Sequence, residues 1–240
     1  MRREHTTSFL WLGLLMAGIC ASSLGAAENL LPVDEILRKL VKRAQSPRSP
    51  EAEGYYLCTK HTVTEDMDSS GKVTERKVKV DENRSSPGGP ADANKWSNKN
   101  GFRLDEELLQ RYVFTLDKRE NLNGRPTFIL SFVPKDPPPA VRQFQDRLLN
   151  CVVGTVWVDE NDYELAKASL SLRESVSFGI LGAVHFFNFS FERARVDDGS
   201  WLTRWTDTYV KARKFVIPFQ TRKRVDWTDF RKLVAERQVP

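Results

Sequence analysis

The strongest constraint on the fold is an alternation of apolar and polar residues with period two, repeated in segment after segment. One side of these segments is apolar: Phe114 and Leu116, then Phe128, Leu130 and Phe132, then Phe187, Phe189 and Phe191. Trp201, Trp205 and Tyr209 continue the series, followed by Phe215, Ile217 and Phe219. The intervening positions include Asn188, Ser190, Glu192, Arg204, Thr206, Gln220 and Arg222. Side chains of a strand point alternately to its two faces, so this pattern specifies antiparallel strands with one dry and one wet face.

The alternation and its turn residues place nine strands, at 55–65, 72–82, 112–120, 125–133, 152–159, 163–173, 184–196, 201–210 and 215–226. Asn123-Gly124 supplies the positive φ of a tight hairpin, and acidic and glycine-bearing turns at 159–162 and 197–200 join later strands into a meander. Nine strands strain an open twisted sheet, so the sheet is expected to curl into a barrel or half-barrel. Helical spacing recurs only locally. Val33, Ile36, Leu37, Leu40, Val41 and Ala44 form an amphipathic stripe after Pro32, and Val141, Phe144 and Leu148 mark a second. Short helices are expected at 104–110 and 228–238, and a long exposed loop at 83–95. The expected class is α+β: one curved antiparallel sheet, a half-barrel, with amphipathic helices over its concave face.

The first 27 residues do not fit that globule. Two arginines, an apolar centre at 9–19 and small residues up to Ala26-Ala27 read as a signal peptide, leaving one domain over 28–240. The centre is short for a membrane span. An uncleaved anchor and a lipid-modified Cys20 are weaker alternatives, the latter because Ile19 is not a small residue. Export to the periplasm follows, and it leaves Cys58 and Cys151 in an oxidising compartment. They either form a disulfide or stand as two buried thiols on different strands. The whole chain carries a formal +5, and residues 211–237 hold nine Lys or Arg against three acids. That end is either a solvated face or a surface for anionic lipid or an acidic partner; nucleic acid is a poor partner for an exported protein.

Motifs for chemistry are weak. His61 and His185 are far apart on strands and read as structural, without metal-ligand spacing. Cys58 and His61 lie three residues apart, on opposite strand faces, which works against a dyad. There is no nucleophile elbow, phosphate loop or dinucleotide fingerprint. The turn at Asp66, Asp68, Ser70 and Gly71 resembles half a calcium loop, but Lys77 stands where a bidentate glutamate is needed. No enzyme activity, metal or cofactor is expected. The glycine-punctuated segment 177–183, with Phe178, Ile180 and Leu181, has two readings. Exposed, it is a flap or a membrane-touching loop; buried, it is a sharp bend packed on the core, the preferred reading.

The order of elements resembles a known family. The N-terminal amphipathic helix, the Asn-Gly hairpin leading into Phe128 to Pro134, the mid-chain helix, and Gly154-Thr155-Val156-Trp157-Val158-Asp159 returning through Tyr163-Glu164-Leu165 are similar to the bacterial outer-membrane lipoprotein-sorting proteins (LolA/LolB-like). The resemblance implies a periplasmic half-barrel with an apolar cavity that carries acyl chains. Candidate lining residues are Phe128, Phe132, Trp157, Phe187, Phe189 and Phe191, for lipoprotein acyl chains or another lipid. The alternatives are an envelope sensory or structural module that binds a protein partner at its basic end, and a hydrolase with an unrecognised site.

Overall fold

The computed structural model describes residues 31–46, 55–85, 104–196 and 199–233; the leader, most of the 83–95 segment and residues 234–238 lie outside them. Helix α1 (Val33–Gln45) follows Pro32, with Asp34 and Glu35 in its first turn and Lys42 and Arg43 in its last, both charges matched to the helix dipole. Strands β1 (Tyr55–Met67) and β2 (Val73–Ser85) form a hairpin. A one-turn helix α2 (Glu106–Leu109) precedes β3 (Tyr112–Leu122) and β4 (Arg125–Pro134). Helix α3 (Phe144–Leu149) leads into β5 (Val152–Asp159), β6 (Leu165–Leu172), the two-residue β7 (Val176–Ser177) and β8 (Gly182–Arg195). The long β9 (Trp201–Lys214) and β10 (Ile217–Leu233) complete the fold.

All pairings are antiparallel, and the sheet runs β2-β1-β10-β9-β8-β6-β5-β4-β3, with β7 paired to β8. Among the described residues β2 and β3 do not meet, so the sheet is an open half-barrel carrying few helices. Edge strand β2 is exposed along most of its length and heavily charged, with Lys77 on Glu75 at 2.9 Å and Lys79 on Asp81 at 2.8 Å, which disfavours pairing with a foreign strand.

Register divides the sheet into two faces. Leu116 lies opposite Leu130, Leu130 opposite Val156, and Val156 opposite Ala168. Leu130 and Val158 are fully buried, and Phe128, Phe132, Ala166 and Ala168 nearly so. Together with the buried stripe of α1 (Ile36, Leu37, Leu40 and Val41) they make the core. Tyr112 closes one end of it: its ring meets Phe132 edge-on at 5.0 Å and its hydroxyl donates to the Leu149 carbonyl of α3 at 2.9 Å. Burial pushes the Tyr112 phenol up to about 12, so it stays a neutral donor. Asp146 caps α3 by accepting from the Arg142 and Gln143 amides and pairs with Arg111 at 2.7 Å. Gly154 lies on β5 opposite Leu170 of β6. A Cβ there would come within 2.3 Å of the Ser169 carbonyl oxygen and 3.1 Å of both Phe132 and Leu170.

Two expectations are corrected. Residues 228–233 continue β10 rather than starting a helix, and Asn83–Ser85 belong to β2 rather than to a loop. A bulge causes the first misreading. Between Thr59 opposite Thr228 and Leu57 opposite Arg231, β10 carries one extra residue, and Asp229 has φ 56°. The bulge moves Phe230 against Trp227, Val225 and Cys58, a three-residue spacing that imitates a helix.

Candidate functional site

The inner face is packed over β3 to β6 and again around Val225 and Trp227 of β10, and is half-open over the middle of β8 and β9. On β8, Phe187, Phe189 and Phe191 share this face, opposite Val210, Thr208 and Thr206 of β9. Phe189 also lies opposite Leu170, and Phe191 opposite Ala168, so the row continues directly from the core. The three phenylalanines are half-buried, and the rings of Phe189 and Phe191 are 5.9 Å apart. Further across the sheet, Thr206, Thr208 and Val210 face Val225, Lys223 and Thr221 of β10. The result is an apolar floor that becomes polar towards β10.

Of the six residues expected to line a cavity, Phe187, Phe189 and Phe191 are therefore together on the open floor. Phe128 and Phe132 lie on the same face but inside the core, 3% and 8% exposed. Trp157 does not join them. It lies opposite Ile129 and Lys167 on the outer face, with the Lys167 ammonium 5.0 Å above its ring.

Strand β9 also reverses its expected polarity: Trp205 and Tyr209 point outward while Thr206, Thr208 and Val210 point inward. Outward aromatics are tolerated because they have partners, Lys167 over Trp205 at 5.9 Å and Phe186 beside Tyr209 at 5.2 Å. Leu170 and Val210 are floor residues that the aromatic pattern alone did not single out. The period-two match to β8 could have found them.

The cysteines do not pair. Cys58 is a buried thiol donating to the Asn83 carbonyl at 3.4 Å, and Cys151 lies beside Glu174. Their positions explain it: Cys58 belongs to β1 and Cys151 adjoins β5, with β10, β9, β8 and β6 between those strands. A disulfide needs Cα atoms within about 7 Å. Burial pushes both thiols up, which makes them poor nucleophiles. His61 and His185 are exposed on their strands. Among the described residues no group of three or more His, Cys, Asp or Glu could hold a metal, and no helix is long and apolar enough to cross a membrane.

The segment at 177–183 is not packed on the core. Phe178 is half-buried, but Ile180 is 86% and Leu181 58% exposed. The chain makes a short 3-10 turn over Gly179–Leu181, and Gly182 at φ 140° fits where a Cβ would lie 2.1 Å from the Arg213 carbonyl oxygen. Backbone geometry explains the failed burial. Gly182 must pair with Lys214, which carries the loop past the end of the sheet.

At the other end of the sheet lies a buried ionic cluster. Glu164, 2% exposed at its side chain, accepts from Arg43 of α1 at 2.7 Å and from Arg193 of β8 at 2.8 Å. Asp159, fully buried, receives a two-point contact from Arg125 at 2.6 and 2.8 Å. The Asn161 and Asp162 amides also donate to it. Burial pushes the Asp159 carboxyl up, but these donors outweigh it and hold it below the usual carboxylate range. Asp146 is likewise held low, first by the Gln143 amide.

Because the folded pKa values lie below the unfolded value of about 3.9, the unfolded chain binds more protons between them. Their contribution is complete above that value and is lost as pH falls through the folded pKa. Chemical unfolding between pH 7 and pH 2 should therefore show stability falling on acidification below about pH 4. Asp159→Asn should flatten that slope while lowering stability at pH 7.

No protein-family model matches this chain, and no curated protein does. Solved structures are similar to it in fold. An outer membrane lipoprotein-sorting protein domain from Vibrio parahaemolyticus is 12% identical, over 85% of this chain and 93% of that one, with a TM-score of 0.37. The MucA/MucB complex of Pseudomonas aeruginosa is 13% identical, over 84% of this chain and 99% of that one, at 0.26. A LolA superfamily protein from Nitrosomonas europaea is 10% identical, over 82% of this chain and 94% of that one, at 0.30.

Proposed function

We propose that this chain is an exported, periplasmic binding protein that carries an acylated or otherwise apolar ligand on its inner face, without covalent chemistry or cofactor. Residues 1–27 serve as its signal peptide, and 28–240 form one half-barrel domain. The observation that carries the reading is the row Phe187, Phe189 and Phe191, half-buried beside a packed core, with Leu170 and Val210 completing an apolar floor. A row of three aromatic rings left partly open on the face that elsewhere forms the core is suited to receive alkyl chains, each buried methylene contributing about 0.8 kcal/mol.

Titration of the purified protein with a palmitoylated fluorescent peptide tests this. Saturable binding is expected, and Phe189→Asp with Phe191→Asp should weaken it by more than about tenfold. Trp157→Ala, on the outer face, should leave it unchanged. Absence of binding, or binding indifferent to the two aspartates, would overturn the carrier reading in favour of a module that recognises a protein partner.

A further inference from the structure

The end of the sheet opposite the ionic cluster carries a second surface, independent of the inner-face floor. Two loops meet there. The turn joining β9 to β10 places Phe215, Val216 and Ile217 in solvent at 52%, 82% and 68% exposure. The loop before β8 places Ile180 and Leu181 beside it, and the two are tied together: the Phe215 amide donates to the Leu181 carbonyl at 3.1 Å, and Gly182 pairs with Lys214. Five large apolar side chains thus form one projecting tip, which Phe219, also exposed, extends along β10. Solitary exposed apolar residues are ordinary; a contiguous group at the outermost point of two joined loops is not.

Two further features give the tip a direction and a partner. Phe215 has φ 54°, a left-handed conformation that glycine or asparagine adopts readily and a phenylalanine adopts at a cost. Its carbonyl accepts from Arg213, so the strained turn is held by its own basic neighbour. Behind the apolar point, Lys211, Arg213 and Lys214 of β9 form a basic collar, and Lys72 lies in the adjacent β1–β2 turn. The acids nearby are Glu174 and, in the neighbouring hairpin, Asp66, Asp68 and Glu75, the last paired with Lys77. Asp68 accepts within its own turn from the Ser70 and Lys72 amides. Apolar side chains at the point with cations a few residues behind match the layers of a bilayer whose headgroups are anionic: hydrocarbon beneath, negative charge above. A protein partner would need a groove to receive the point; a lipid surface needs only depth.

We infer that this two-loop tip docks the protein on an anionic phospholipid surface, with Ile180, Leu181, Phe215, Val216 and Ile217 entering the interface and Lys211, Arg213 and Lys214 resting on the headgroups. The inner-face residues nearest the tip are Val184, Ala212 and Phe219, in register with one another. The inference itself does not depend on any ligand being carried there.

Co-sedimentation with vesicles tests it, using the protein as cells process and release it, so that wild type and variants share the same termini. Wild type should sediment with vesicles of phosphatidylethanolamine and phosphatidylglycerol, and more weakly with phosphatidylcholine alone. Ile180→Asp with Val216→Asp should reduce binding to the anionic vesicles by more than about tenfold. Lys211→Gln with Lys214→Gln should cost about fivefold per charge on anionic vesicles and nothing on neutral ones. All these positions are exposed, and circular dichroism confirms that the variants remain folded. Wild-type protein left in the supernatant, equal affinity for both vesicle types, or aspartate variants that sediment like wild type would each overturn the inference. Retained palmitoyl-peptide binding in the aspartate variants separates this outcome from failure of the carrier reading.

Discussion

Replacing Glu164 with alanine is expected to lower the stability of this fold by about 3–5 kcal/mol, because it strands a buried arginine. Glu164 and Arg193 are 2% and 6% exposed at their side chains, and their 2.8 Å contact sits between α1 and the sheet. Removing the carboxylate takes from the buried Arg193 its ionic partner Glu164 while its Trp201 carbonyl contact remains. The same change releases Arg43, through which the last turn of α1 reaches the sheet. Urea unfolding should show a lower midpoint with an unchanged slope, and hydrogen exchange should show α1 opening before the strands. Glu164→Leu with Arg193→Met should recover much of the loss, since an apolar pair of similar volume avoids the desolvation cost of both charges.

A second large effect is expected at Gly154. Its missing side chain lets β5 approach β6, and Gly154→Ala would force a carbon to within 2.3 Å of the Ser169 carbonyl oxygen. Backbone cannot yield as a side-chain rotamer can, so the two strands must part beside Phe132, at the margin of the core, at a cost above about 3 kcal/mol. Gly124→Ala is the control. That glycine has φ 79° but nothing within 4 Å of the added carbon, so only conformational strain of about 1–2 kcal/mol is expected. A thermal unfolding comparison of the two variants separates crowding from strain.

Local alternation was a good guide wherever both sides of a strand obeyed it. The Asn123-Gly124 hairpin, β4 and β5 follow directly from Phe128, Leu130 and Phe132 against Val156 and Val158, and the half-barrel follows from their number. It misled where a wet face carries aromatics. Trp205 and Tyr209 look like core residues, yet Lys167, Phe186 and Gln220 shelter them on the outside. It also failed at the β10 bulge, because one inserted residue turns a period of two into a spacing of three. The candidate site was half legible. Phe187, Phe189 and Phe191 were marked by their alternation, but which rings are sealed in and which remain open depends on what packs over each, a matter of tertiary structure. The tip was visible as two separate apolar stretches, Phe178 to Leu181 and Phe215 to Phe219. Only the pairing of Gly182 with Lys214 brings them together.

The order of strands has a consequence for the life history of the chain. Strand β1, the first of the described strands, lies between β2 and β10, the last of them. The hairpin of β1 and β2 therefore has no place in the sheet until the final stretch of polypeptide is available. A chain that emerges N-terminus first cannot close this sheet early, since long-range strand pairing waits for its most distant partner. Late completion leaves the β1 edge of that hairpin unpaired in the interval. The dense charge along β2 guards the hairpin's other edge, which among the described residues stays unpaired even after β10 has arrived.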